Sequence, residues 1–323
     1  MRKEKFFLLL VINFAVLLTA TVYFKSRQQK IEPLAYRFTL VYPDFWDEYG
    51  DGIPEVAKLE DASLKCVSYN STNEDAQIEE LKKAVYSRAD GIITVGDSTS
   101  QELADVVNEA EDKGIPVILV DSDLPDTTRS GYVGADNRAV GEMAGEAMAK
   151  NVQEDARIAI LVSSKKNSGQ AERTAGFQSV ADRYGKMEVI RIQECGTDRI
   201  TARRQLLELL GHDSEINALY CADLVSSEMA GEILEELGRS PGEIRVVSSG
   251  MSEEIGNRIA DGWYVSSVTD NAYRNARQAV SCLKDCLNGP SDERYLVYTD
   301  VVIVEQDFDY GAWTVSQEKE DGE

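Results

Sequence analysis

Two aspartates stand at the ends of short apolar runs: Asp121 directly follows Val117 to Val120, and Asp97 follows Gly91 to Val95 after one glycine. An ionised carboxylate only accepts hydrogen bonds, so it suits the hydroxyl protons of a polyol or the N–H groups of an amine and repels a phosphate. Asp44, Asp223 and Asp270 follow other apolar runs, and Arg173 is the one clear cation set against these five acids. Two roles compete for Asp97 and Asp223, because each precedes a segment of helical period and aspartate is a good N-cap. For Asp223 the cap is preferred. Asp121 has no helix immediately after it, which favours a ligand role.

Groups for bond-making chemistry are scarce. His212 is the only histidine and is read in a polar turn, so neither a Ser-His-acid set nor a histidine metal site has its usual context. Ser163 and Lys166 match the S-x-x-K spacing of β-lactamase-type nucleophiles, yet no Ser-Asp-Asn or Lys-Thr-Gly accompanies them. No P-loop occurs, and GADNRAVGEMAG lacks the full glycine fingerprint of a dinucleotide site. An enzyme is not expected, nor a metal or other cofactor. The cysteines Cys66, Cys195, Cys221, Cys282 and Cys286 have no metal-site spacing. Cys66 and Cys221 fall in apolar runs as small hydrophobes, and Cys282 and Cys286 are one helical turn apart, a spacing that rarely permits a disulfide.

The elements that must position the acids follow from periodicity. The segment from Gly91 to Val120 reads as strand, helix and strand, its runs β-branched and without polar alternation, as in parallel strands buried on both faces. In such sheets the ligand crevice lies beyond the carboxyl ends of the strands. Strands are expected at Tyr36 to Tyr42, Leu64 to Tyr69, Tyr132 to Val133, Arg157 to Val162, Met187 to Ile192, Ala218 to Cys221, Ile244 to Val247, Tyr264 to Thr269 and Leu296 to Val304. Helices fill the intervals: one running to about Glu60 with a bend or restart at Pro54, then Glu74 to Ser87, Asn137 to Lys150, Gly169 to Tyr184, Asp198 to Leu210, Asp223 to Leu237, Ser252 to Ala260 and Asp270 to Leu287. The last stops at Asn288-Gly289-Pro290. This alternation specifies an α/β fold with parallel sheets. The second half repeats the first, and two facing sheets make a cleft.

The chain has 323 residues with a formal charge of −23. An acidic surface of this kind repels phosphate backbones, so nucleic acid is excluded as a partner. Nineteen uncharged residues from Phe6 to Phe24 lie between Arg2, Lys3, Lys5 and Lys25, Arg27, Lys30. As a helix they span about 28 Å, enough for a bilayer core of roughly 30 Å. A cleaved signal peptide is the rival reading, but Leu18-Thr19-Ala20 is a poor cleavage site. An uncleaved anchor with the C-terminal bulk outside the cytoplasm is expected, which places the chain in the cell membrane.

The stretches DGIITVGDS, KGIPVILVDSD, YVGADN, QAERTAGF, LYCADLVSSEMAG and DGWYVSSVTDN, in this order, resemble the type I periplasmic binding proteins of the ribose/galactose-binding group. The resemblance covers roughly residues 36 to 304 and implies two Rossmann-like lobes joined by three crossovers and closing on a small solute, commonly a sugar. With it the lobes are expected at 31–136 and 270–289 for the first and at 137–269 and 290–310 for the second, while the apolar run makes 1–30 the anchor and 311–323 is a polar tail. By the same resemblance Phe45 and Trp46, preceded by Asp44, stack on a sugar ring, Asp121 accepts its hydroxyls, and Arg173 reaches in from the second lobe. The dull alternatives are core packing for Phe45 and Trp46, and a salt bridge from Arg173 to Glu172 or Asp198. The sequence departs from the family pattern at Ala222, where an Asn usually precedes the Asp, at Ser248-Ser249-Gly250-Met251 and at Asp270, where Gln is customary. Three functions are weighed: a solute receptor delivering to an ABC permease, a receptor signalling to a membrane histidine kinase, and a lac-type regulator. The last lacks a DNA-binding helix-turn-helix.

Overall fold

A computed structural model describes residues 36–44, 46, 62–96, 100–152, 154–212, 215–289 and 294–309. The expected anchor, the helix expected before Glu60, Phe45, Asp97 and the polar tail lie outside the described residues. Among the described residues no helix is long and apolar enough to cross a membrane.

The first lobe is built on a six-stranded sheet. Its strands are β1 (Tyr36–Pro43), β2 (Ala62–Tyr69), β3 (Gly91–Val95), β4 (Val117–Val120), β5 (Gly131–Gly134) and β11 (Tyr295–Tyr298), in the order β11-β5-β4-β3-β1-β2, and every pairing is parallel. Every residue of β3 and β4 is buried, as their unalternating sequences require. One face packs on α1 (Glu74–Tyr86) and α2 (Gln101–Asp112) through Ile92, Leu119, Leu81 and Val106. The other packs on α8 (Ala272–Asn288) through Phe38, Ile93, Ile118 and Leu283.

The second lobe repeats this design with β6 (Ala156–Val162), β7 (Met187–Glu194), β8 (Ala218–Cys221), β9 (Arg245–Ser249), β10 (Ser266–Thr269) and β12 (Val302–Val304). The order is β12-β10-β9-β8-β6-β7, parallel except for β12, which runs antiparallel to β10. Helices α3 (Asn137–Asn151) and α4 (Ser168–Ala181) cover one face. The other face is covered by α5 (Arg199–His212), α6 (Leu224–Glu236) and α7 (Glu253–Ala260). His212 is thus the last helical residue and does not stand in the turn. Of the five cysteines, Cys195, Cys221 and Cys282 are buried and Cys66 and Cys286 partly so.

The chain passes between the sheets three times: between β5 and α3, between β10 and α8, and between β11 and β12. The third passage corrects the sequence reading. The strand expected from Leu296 to Val304 is two strands in different sheets, and the crossover lies at Thr299 to Val301, beyond Gly289. Its apolar pattern is nearly continuous, so periodicity could not reveal the break.

In the second lobe α3 and α4 approach each other closely at two glycines. A Cβ on Gly141 would sit 1.9 Å from the Arg173 carbonyl oxygen, and one on Gly176 would sit 2.1 Å from that of Arg138. Only glycine permits this approach, which sets the position of Arg173. A stacked pair, Phe177 and Tyr220 with ring centroids 4.7 Å apart, fixes the same helix to β8.

Candidate ligand-binding site

The carboxyl ends of both sheets border one cavity of about 280 Å³, close to the small end of the ~300–1,000 Å³ usual for ligand pockets. Asp121 and Trp46 reach it from the first lobe, Arg173 and Asp223 from the second, and Asp270 from a crossover. Asp44 is not among the lining residues; its carboxylate accepts from Ser71 N at 3.2 Å and Ser71 Oγ at 2.7 Å, fastening the end of β1 to the turn after β2. Trp46 packs against the α8 side of the first-lobe core and also lines the cavity.

Asp121 has a left-handed backbone, φ 63°. A side chain with a Cβ rarely occupies this region, and aspartate tolerates it better than most. The conformation is held by its own carbonyl, which accepts from Tyr132 Oη at 2.9 Å and Asn137 Nδ2 at 2.7 Å. The turn ends β4 and aims the carboxylate across the cleft. There Arg173 donates Nη2 to Asp121 Oδ1 at 3.3 Å, Nε to Asn137 Oδ1 at 2.7 Å and Nη1 to the Ala222 carbonyl at 3.0 Å. The arginine therefore pairs with an acid of the other lobe, and not with Glu172 or Asp198 as its dull alternative supposed. Burial raises the Asp121 carboxyl, Arg173 opposes the shift and Asp270 adds to it. For Arg173, burial works against the charge but Asp121, Tyr220 and Asp270 outweigh it, so its basicity rises.

Asp223 reconciles its two readings. It caps α6, accepting from Ser226 N at 2.9 Å and Ser226 Oγ at 2.7 Å, and it lines the cavity while only 7% exposed. Burial pushes its carboxyl up to about 6, despite the bonds from Ser226 that favour ionisation. Asp270 accepts from Asn275 Nδ2 at 2.7 Å.

Several lining residues escaped the sequence reading. Asn275 sits one turn inside α8, five positions after Asp270, where nothing in the sequence separates it from a surface polar residue. Gln170 grips the loop after β6, accepting from Ser163 N at 2.7 Å and donating to Ser163 Oγ at 2.6 Å. That bond gives the serine of the S-x-x-K spacing a structural partner. Ser122 and Asn167 meet across the lobes at 3.3 Å, and Ser168 Oγ donates to the Asp123 carbonyl at 2.8 Å. The signal for Ser122 was present, since it adjoins Asp121 at a strand end. Among the described residues no group of His, Cys, Asp and Glu could hold a metal ion.

Comparison with known proteins gives the same architecture. The chain is 24% identical over 239 residues to the ribose import binding protein RbsB of Bacillus subtilis (strain 168), covering 74% of this chain and 76% of that protein. It is 23% identical over 230 residues to a D-ribose/D-allose-binding protein of Pseudomonas aeruginosa, covering 69% and 71%. Among solved structures, GanP, a glucose-galactose binding protein from Geobacillus stearothermophilus, superposes with a TM-score of 0.78 at 26% identity, covering 84% of this chain and 98% of that one. The model of the periplasmic binding protein domain matches residues 39–291, most of both lobes, and the chain belongs to that family.

Proposed function

We propose that this chain is an extracytoplasmic receptor that closes two lobes on a sugar or sugar-like solute and delivers it to an ABC permease. The observation that carries the reading is the Asp121–Arg173 pair, which joins the two lobes at the cavity wall. A pair of this kind holds an acceptor and a fork of donors against a polyhydroxylated ligand, and Trp46 offers it an aromatic face. The names of the relatives, which bind ribose, allose, glucose or galactose, agree with this. Closure of one lobe on the other about the three crossovers is the motion such an architecture allows.

Three carboxylates against one guanidinium also set what the cleft rejects. An anion enclosed beside them would lose its hydration without gaining compensation. In a thermal-shift series the chain is expected to gain melting temperature with monosaccharides or their uncharged relatives, since a ligand that binds only the folded state stabilises it. Sugar phosphates and dicarboxylates are expected to leave the melt unchanged. Stabilisation by a sugar phosphate with no response to any uncharged or amine-bearing sugar would refute the reading.

The apolar run from Phe6 to Phe24 supports a second reading, in which the same cleft reports occupancy to a membrane histidine kinase through an uncleaved anchor. Intact-mass measurement of the native protein is expected to find the chain beginning at Met1 or Arg2, in a membrane fraction that resists high salt. A mature N-terminus near residue 21 would rule the anchor out and leave import as the sole reading.

A further inference from the structure

The charges around the cavity do not balance. Arg173 is the only cation among the described lining residues, and each of its nitrogens donates one hydrogen bond within the chain, Nε to Asn137, Nη1 to the Ala222 carbonyl and Nη2 to Asp121, with the second N–H of each Nη left over. One positive charge is thereby matched to one negative charge. Asp223 and Asp270 have only neutral partners, Ser226 and Asn275 respectively, and no ion pair joins either among the described residues. The site as a whole therefore holds three carboxylates against one guanidinium, whose field they share, and closure removes the water that otherwise solvates the excess negative charge.

A second observation is independent of charge. Asn275 lines the cavity, is 8% exposed, and uses its amide N–H to hold Asp270, yet its own Oδ1 is buried without any donor. Buried acceptors are rarely left in this state unless a donor arrives from outside the chain. An ammonium group brings three N–H donors and a positive charge. It can serve a carboxylate and a neighbouring amide oxygen together, whereas a neutral hydroxyl has one donor, which can satisfy the amide oxygen but brings no charge for the carboxylate.

We propose that the cleft is shaped for a sugar bearing a protonated amine, recognised at the corner formed by Asp270 and Asn275 with Asp223 contributing to the field. This rests on the sugar-receptor reading and narrows its ligand class. Ligands of that class bind with a charge-assisted hydrogen bond, roughly twice as strong as a neutral one.

The test is calorimetry on the full chain in detergent at neutral pH, with glucosamine, galactosamine and mannosamine each set against its neutral parent and its N-acetyl derivative, and with ribose included. At least one amino sugar is expected to bind roughly tenfold more tightly than both its neutral parent and its N-acetyl derivative. Asp270→Asn, which keeps the side-chain shape and removes the charge, is expected to bring that amino sugar down to the affinity of its parent; Asp223→Asn, whose amide oxygen can still cap α6, serves as a second variant. A smaller preference, or a neutral or N-acetylated sugar binding best, overturns the amine inference and leaves the receptor reading intact. Binding by none of the probes overturns both.

Discussion

Asp121→Ala is expected to be the most damaging single substitution at the cleft, lowering stability by about 2–4 kcal/mol and ligand affinity by a further ~1–3 kcal/mol. Three effects combine. Arg173, whose side chain is 16% exposed, loses its counter-ion; a fully buried pair broken in this way costs ~3–5 kcal/mol, and the figure is reduced here because Asp121 keeps 41% of its side chain accessible. The left-handed backbone at φ 63° then has to be held by an alanine, which lacks the short polar side chain that lets aspartate tolerate this region and so adds a fraction of the left-handed cost. The ligand loses an acceptor. Comparing variants separates these effects. Asp121→Gly relieves the backbone and is expected to melt above Asp121→Ala, whereas Asp121→Asn keeps both the shape and a tolerated backbone and is expected to lose mainly the charge. Denaturant melts with calorimetry on all three would check the order, and an alanine variant as stable as the parent would show that the cross-lobe pair contributes nothing.

Gly141→Ala is expected to destabilise by about 1–3 kcal/mol and to weaken ligand binding although residue 141 does not line the cavity. Helix propensity alone gives the opposite sign, because alanine is favoured over glycine inside a helix by ~1 kcal/mol. Sterics decide the outcome. The new Cβ would meet the Arg173 carbonyl at 1.9 Å, and that atom is backbone, so α3 and α4 must separate and the guanidinium must move with its helix. Gly211, near the end of α5, has open space around its position and is the control for propensity. Its alanine variant is expected to melt slightly higher. If Gly141→Ala also melted higher, the close helix approach would be wrong.

Much of this architecture could be read from residue order. Strands such as GIITV and VILV show no polar alternation because both faces are covered, and glycine or asparagine turns mark where helices stop. Asp121 was legible as a site candidate for a local reason, a polar residue ending a buried strand with no helix to cap. Asp223 was ambiguous in sequence because the two roles share one geometry: it caps α6 and also lines the cavity. What remained hidden depends on distance in the chain. That Arg173 selects Asp121, 52 residues away and in the other lobe, and not its neighbour Glu172, follows from the packing of α3 on α4, which no local pattern encodes. Asn275 and Gln170 were invisible because a buried polar residue is identified by its partners, and partners are a tertiary property. The break between β11 and β12 was missed because both pieces are apolar.

The late arrival of α8 and β11 in the first lobe has a consequence for how the molecule comes to exist. The strand β11 pairs Tyr295 with Gly131, and Leu283 covers the face carrying Phe38 and Ile93. The lobe that begins first is thus completed only after the whole of β6 to β10 has been synthesised, whereas the second lobe then lacks only β12. Residues 137 to 269 hold nearly all of their own sheet and can collapse meanwhile, while one apolar face of the first sheet waits for its helix. Pairings of such long sequence separation form slowly, because the loop entropy is lost before the contact is gained. A half-finished chain with a folded second lobe and an uncovered first sheet is the form expected to self-associate if folding stalls, beginning at its exposed strands.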